Sequence, residues 1–401
     1  MGMAESGIEQ IGVAEVVVGL VPASHDAQTL EAAISRIVEF TPPVKAVLIH
    51  PPYSANGAYP PYTGTQWRLV ANPQLAQDPS SLAQSLGDSF RVIFDLTQRL
   101  GGRACAIIAS DLSTVTSEWV PLLLQPIVEE QFDLVAPCYA RHPFEGLINR
   151  AIVYPLIRAL YGKRVRNPLG PDFGISSTLV ERLATTPTRR VHPIASLATE
   201  AATSGLKICQ SHLGPRIFPP MDWTNLSSLL AQVLGALFLD VERYAPHWQR
   251  ARDSQPIPEF GHPTFVAGPE GAVDVTRLIE SFQLGARNLP EVWGMILPPS
   301  TLVELRRLAK HDAAGFRMPD ETWARIVYDF ALGHRVRAIN RDQMLRAITP
   351  IYLGWVASYA LELDNMAPEA VEQRLEMLCV AFEHTKSYLV SRWRWPDRFN
   401  P

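Results

Sequence analysis

The run Cys105-Ala-Ile-Ile-Ala109 is apolar or small at every position and stops abruptly at Ser110-Asp111. A short run without polar alternation reads as a parallel strand buried on both faces. Such a strand needs helices over both sides of its sheet, which constrains the chain to an α/β architecture. An Asp placed where a buried strand emerges lies at the carboxyl edge of the sheet, where open α/β folds bind ligands. The plainer alternative is that Asp111 caps the Ser/Thr-rich segment leading into Trp119-Val-Pro-Leu-Leu-Leu124.

The flanking chain repeats the same signal. Ala14–Val21 and Val44–Ile49 read as strands, and Leu30, Ile34, Ile37 and Val38 mark one apolar face of a helix between them. This opening resembles the first half of a nucleotide-binding α/β domain. Its turn, Pro22-Ala-Ser-His-Asp26, is not Gly-x-Gly-x-x-Gly, so a dinucleotide fingerprint is absent, and no Gly-x-Ser-x-Gly elbow of a hydrolase occurs either. The stretch His50–Gly64 carries three tyrosines and four prolines, and reads as a binding lip or a proline-stiffened surface loop. Ser80–Leu100 reads as a helix ended by Gly101-Gly102.

Asp133–Pro137 is a further strand, running into Cys138-Tyr-Ala-Arg141, and a helix is expected over roughly 145–161. Pro168–Gly174 must be tight backbone, with Asp172 delivered where a short strand starts. Leu206–Gln210 reads as a late strand, followed by Ser211-His-Leu-Gly-Pro-Arg216 and a long helix over Asn225–Tyr244. Proline-rich 245–274 marks a candidate linker between an α/β domain, 1–244, and a helical C-terminal domain, 275–401. Helices are expected there over about 275–288, 300–312, 320–335, 341–364 and 367–392. Trp323, Trp355 and the Trp393/Trp395 pair are read as packing these helices against the α/β domain.

Hydrophobic residues make up 47% of the chain and charged residues 19%, which places it among globular proteins. A net charge of −4 without a basic run argues against nucleic acid and anionic membrane surfaces as partners. No signal peptide is visible and no uninterrupted apolar stretch is long enough to span a bilayer, so a cytoplasmic protein is expected. The four cysteines lack metal-ligand spacing and read as buried thiols.

Taken in order, Ala109-Ser-Asp111 before Ser117-Glu-Trp119, then Cys138-Tyr-Ala-Arg141, Asn167-Pro-Leu-Gly-Pro-Asp172 and Leu213-Gly-Pro-Arg216 resemble glycosyltransferases of the GT-A fold. The likeness is to mannosylglycerate synthase and related sugar transferases, over about residues 14–244. It implies a mixed sheet flanked by helices, with an α-helical C-terminal extension. It also implies a nucleotide-sugar donor, a small hydroxy-acid acceptor and a divalent cation, Mg²⁺ or Mn²⁺. By position, Asp111 matches the second Asp of the metal and diphosphate motif, and Arg141 and Asn149 match acceptor contacts. Asp172 falls near the reacting sugar as the candidate catalytic residue. Arg216 is the candidate to stabilise the leaving diphosphate by fixed charge, the alternative being a solvated arginine after a strand.

Departures from the pattern are several. Ala109 stands where the first Asp of the metal pair is expected, and Ile217-Phe-Pro219 where a histidine ligand is expected. Pro193-Ile-Ala-Ser196 lacks an expected acid, Ser80–Ser85 replaces a Gly-Lys-Gly stretch, and Pro51–Asn56 replaces an acidic loop. The cation is therefore expected to be held weakly or lost. Two functions follow: a sugar transferase with a rebuilt site, or a catalytically degenerate relative that binds a ligand or partner. Homo-oligomerisation is left open.

Overall fold

The computed structural model describes residues 14–22, 27–52, 66–75, 82–110, 112–185, 193–216, 223–264, 273–363, 366 and 368–395. Along the chain come β1 (Val16–Pro22), α1 (Ala27–Glu39), β2 (Ala46–His50), β3 (Trp67–Ala71), α2 (Leu82–Arg99), β4 (Ala104–Ser110) and α3 (Trp119–Val128). Then follow β5 (Leu134–Ala140), a π-helical turn (Asn149–Val153), α4 (Tyr154–Tyr161), β6 (Phe173–Ser176), α5 (Ser177–Thr185), α6 (Pro193–Thr203) and β7 (Ile208–Pro215). The remainder is α7 (Leu226–Arg243), α8 (Ala245–Trp248), β8 (Glu259–Phe260), α9 (Val275–Asn288), α10 (Pro290–Gly294), α11 (Pro299–Leu308), α12 (Asp320–Val336), α13 (Arg341–Ala347), α14 (Thr349–Leu363) and α15 (Pro368–Arg394).

Two compact units interleave along the sequence. The first takes residues 1–141, 165–219 and 257–266, and the second 142–164, 220–256 and 267–401. The segment 245–274, expected as a linker, contains α8 and β8 and is divided between them.

The first unit is built on one eight-stranded sheet in the order β3-β2-β1-β4-β6-β5-β7-β8. Only β6 runs antiparallel to its neighbours, β4 and β5. A mixed sheet flanked by helices, with a helical C-terminal region, is the architecture that the GT-A resemblance implies. The two-sided burial read from the apolar runs is visible at β1. Val16, Val18 and Leu20 join Leu30, Ile34 and Ile37 of α1 in one apolar cluster. The alternate face meets α2 so closely that a Cβ on Gly19 would lie 2.3 Å from Ile93. Gly174 of β6 has a related role: a Cβ there would fall 1.9 Å from the Leu123 carbonyl of α3, so only glycine lets helix and strand touch beside Asp172. The strands β3 and β8 were not read from sequence; both lie at sheet edges, and Arg68 in β3 is exposed.

The second unit is helical. The helix expected over 145–161 instead opens with the π-helical turn, and Pro155 supplies a reason. Proline has no N–H for the carbonyl four residues back, that of Ala151, so regular α hydrogen bonding fails there. The Trp323 indole of α12 donates to that carbonyl at 2.8 Å. Buried Arg158 of α4 is held by α15, its guanidinium 2.5 and 2.6 Å from the two Glu376 oxygens and 2.9 Å from Glu383. The helices after residue 275 thus pack on the 142–164 segment within one unit. The helix expected over 341–364 breaks at Ile348, just before Thr349-Pro350. All four cysteines are buried free thiols. Among the described residues no helix is long and apolar enough to cross a membrane.

Candidate functional site

Topology brings three of the sequence-predicted residues to one edge of the first unit's sheet. Parallel strands β5 and β7 end at Ala140 and Pro215, so Arg141 and Arg216 emerge together at the carboxyl edge. Because β6 is antiparallel, its start lies at that same edge, and Asp172 directly precedes it. The end of β4 arrives there too, with Ala109 two residues from where Ile107 pairs with Phe173.

Asp172 sits at the centre with no exposed surface. Its Oδ1 accepts the Ala109 backbone N–H at 2.8 Å and lies 3.4 Å from a terminal nitrogen of Arg216. Its Oδ2 accepts the Tyr139 hydroxyl at 2.5 Å. Arg216 also donates to the Ala109 carbonyl, and its guanidinium lies 5.0 Å from the centre of the Trp119 ring. Arg141 stacks over Tyr139 at 4.4 Å. Far from being a solvated arginine, Arg216 is fully enclosed.

Burial pushes the Asp172 carboxyl up from its ordinary range, against Arg216, the Tyr139 hydroxyl, the Ala109 N–H and Arg141, which all favour the carboxylate. Tyr139 is driven well above the ordinary phenol value, first by burial and then by the neighbouring Asp172 charge. Tyr139 therefore stays a hydroxyl and acts as the donor in its bond to Asp172. Among the described residues this edge therefore carries two guanidiniums and one enclosed carboxyl.

Of the remaining predicted residues, Asn149 begins the π-helical turn of the second unit, where it is buried. Asp111 lies outside the described residues, as do 53–64 of the aromatic loop, the Ile217-Phe-Pro219 segment and the first two residues of Ser80–Ser85. His212 lies inside β7, which continues to Pro215 where the sequence suggested an end at Gln210, and it pairs with Glu259 at 2.9 Å. Tyr139 and Trp119 belong to the motifs that carry the resemblance but were given no site role from sequence. The signal for Tyr139 was its place two residues before Arg141, which puts both on one face of an extended chain.

The described residues do not fit a divalent cation. Asp172, the acid at this edge, has both oxygens engaged by donors and two guanidiniums nearby, whereas a hard cation needs several open oxygen ligands. No group of three or more His, Cys, Asp or Glu side chains suited to a metal occurs among the described residues.

No protein-family model matches the chain, and no curated protein matches it. Solved structures similar to it include glucosyl-3-phosphoglycerate synthase from Mycobacterium tuberculosis in complex with Mn²⁺, UDP and glucosyl-3-phosphoglycerate, at 19% identity over 60% of this chain and 85% of that one, with a TM-score of 0.41. The same enzyme with Mg²⁺ and UDP matches at 21% identity, over 60% and 84% of the two chains, with a TM-score of 0.42.

Proposed function

We propose that this chain is a nucleotide-sugar-dependent glycosyltransferase whose acceptor is a small hydroxy acid, glycerate or a close derivative. The observation that carries the reading is the convergence of Arg141, Arg216 and Asp172 at the carboxyl edge of the sheet, where open α/β folds bind ligands. Arg141 is half-buried, stacked on Tyr139, and suits a planar carboxylate with paired donors. Arg216 supplies fixed positive charge within the edge, of the kind that stabilises a departing diphosphate in a low-dielectric surround. Asp172 acts as a positioning residue, holding Arg216 and Tyr139 while both its oxygens are engaged. Asp111 remains a candidate donor contact by its place in the sequence. No step is assigned to a metal, because the described residues do not fit one.

A second reading, ligand binding without turnover, is favoured by Ala109 at the metal-pair position and by the full engagement of Asp172. Thermal-shift titration with nucleoside diphosphates, with and without Mn²⁺, tests the family of readings. Ligand that binds only the folded chain raises the midpoint progressively with concentration. Absence of any shift up to millimolar nucleotide would overturn both. A shift without sugar transfer to glycerate or its phosphate ester would favour the second.

A further inference from the structure

The second unit contains a cavity of about 490 Å³ between α11, the 311–319 loop and α12. That volume falls in the range of small-molecule sites, roughly 300–1,000 Å³. None of its residues belongs to the candidate transfer site. Its apolar lining comes from Leu305, Leu308 and Met318, all buried. Three guanidiniums, Arg307, Arg317 and Arg325, face two carboxylates, Glu304 and Glu321, so these arginines and glutamates leave the lining one surplus positive charge.

Arg325 has donors to spare. One terminal nitrogen makes only long contacts, 3.4 Å to Glu304 and 3.3 Å to the Thr322 hydroxyl. Its Nε is buried and has no acceptor among the described residues. Glu304 faces that terminal nitrogen and not Nε, and one of its oxygens also accepts the Thr322 hydroxyl at 2.8 Å. A buried N–H without an acceptor is costly, and the Nε edge of a guanidinium is the fork that a carboxylate or phosphate engages with two oxygens. The adjoining cavity of about 510 Å³ offers a contrast, because its Arg374 is saturated by Asp320 at 2.8 and 2.9 Å and by Glu362 at 2.5 Å.

From this geometry we infer that the α11–α12 cavity is a binding site for a small organic monoanion, its anionic group on Arg325 and its apolar body on Leu305, Leu308 and Met318. A bare inorganic ion would leave the apolar wall uncovered, and a neutral apolar molecule would leave the Arg325 Nε without an acceptor.

The test is calorimetric titration of the full chain with hexanoate, hexan-1-ol and acetate as probes. Hexanoate should bind saturably, and the other two about tenfold or more weakly, the scale of one charged hydrogen bond. Arg325→Met should weaken hexanoate by a similar factor. Exposed Arg307→Met should also weaken it, whereas Arg306→Met, the same change on the neighbouring residue outside the cavity lining, should not. Should Arg325→Met fail to fold, the Arg307/Arg306 comparison decides. Equal binding of hexanol and hexanoate, no binding of hexanoate, or equal losses in the Arg307 and Arg306 variants would overturn the site.

Discussion

The Asp172 carboxylate and the Arg216 guanidinium lie 3.4 Å apart, and neither side chain is exposed. Two ionisable groups enclosed together stabilise one another, and removing one takes from the other the opposite charge that it faces. Asp172→Asn or Arg216→Met should each lower stability by about 3–5 kcal/mol. The double variant should lose much less than the sum of the two. Urea unfolding of the four proteins measures this, and strictly additive losses would show that the two do not work as a unit.

A second expectation concerns Trp323 and the carbonyl of Ala151. Trp323→Phe keeps the ring but strands a carbonyl that Pro155 cannot serve, at a cost of about 1–3 kcal/mol. Pro155→Ala restores an N–H at the position that could reach this carbonyl. The penalty of Trp323→Phe should therefore shrink in the Pro155→Ala background; an unchanged penalty would assign the loss to packing alone.

Asp329 makes stability depend on pH. It is enclosed between α12 and α15, with both oxygens on the Tyr388 hydroxyl at 2.9 and 3.0 Å and Arg392 at 3.5 Å. Burial raises its carboxyl from 3.8 to about 7, in spite of Arg392 and Tyr388. Between those values the folded chain binds a proton that the unfolded chain has released. This group's contribution is therefore full below about pH 4, falls as pH rises, and is lost above about pH 7. The total is on the order of 4 kcal/mol at 1.36 kcal/mol per unit. Asp329→Asn should flatten that part of the profile when unfolding midpoints are compared at pH 5 and pH 8. An unaltered slope would contradict the assignment.

The sheet was largely legible because its central strands are buried on both faces and so appear as short apolar runs, as at Ala14–Val21 and Cys105–Ala109. The edge strands β3 and β8 were not, since an edge needs less apolar surface and β8 pairs through only two residues. Helix interiors were legible from periodicity, but the π-helical turn before Pro155 was not, because a proline alone does not tell a π-turn from a kink or a helix start, and the donor to the freed Ala151 carbonyl comes from Trp323, far along the chain. At the candidate site, Arg141, Asp172 and Arg216 could be chosen by order along the chain. Their mutual engagement depends on the reversed direction of β6, which periodicity does not reveal. Tyr139 was given no site role for the same reason: its value lies in the Asp172 contact across two strands.

Mn²⁺ alone should not bind the free protein measurably by calorimetry, since Ala109 leaves Asp111 as the one acid of the expected metal pair, too small a ligand set for a hard cation. Micromolar binding that Asp111→Asn abolishes would contradict this.

The most direct measurement is steady-state sugar transfer from a nucleotide sugar to glycerate by the parent chain and by Arg141→Lys, with donor and acceptor varied in turn. Lysine keeps the charge of Arg141 but loses the paired donors. The expected result is transfer by the parent, with the acceptor KM raised about tenfold in the variant, the scale of one lost charged hydrogen bond, and the donor KM unchanged. No transfer by the parent with any nucleotide sugar, or the same acceptor dependence in both proteins, would contradict it.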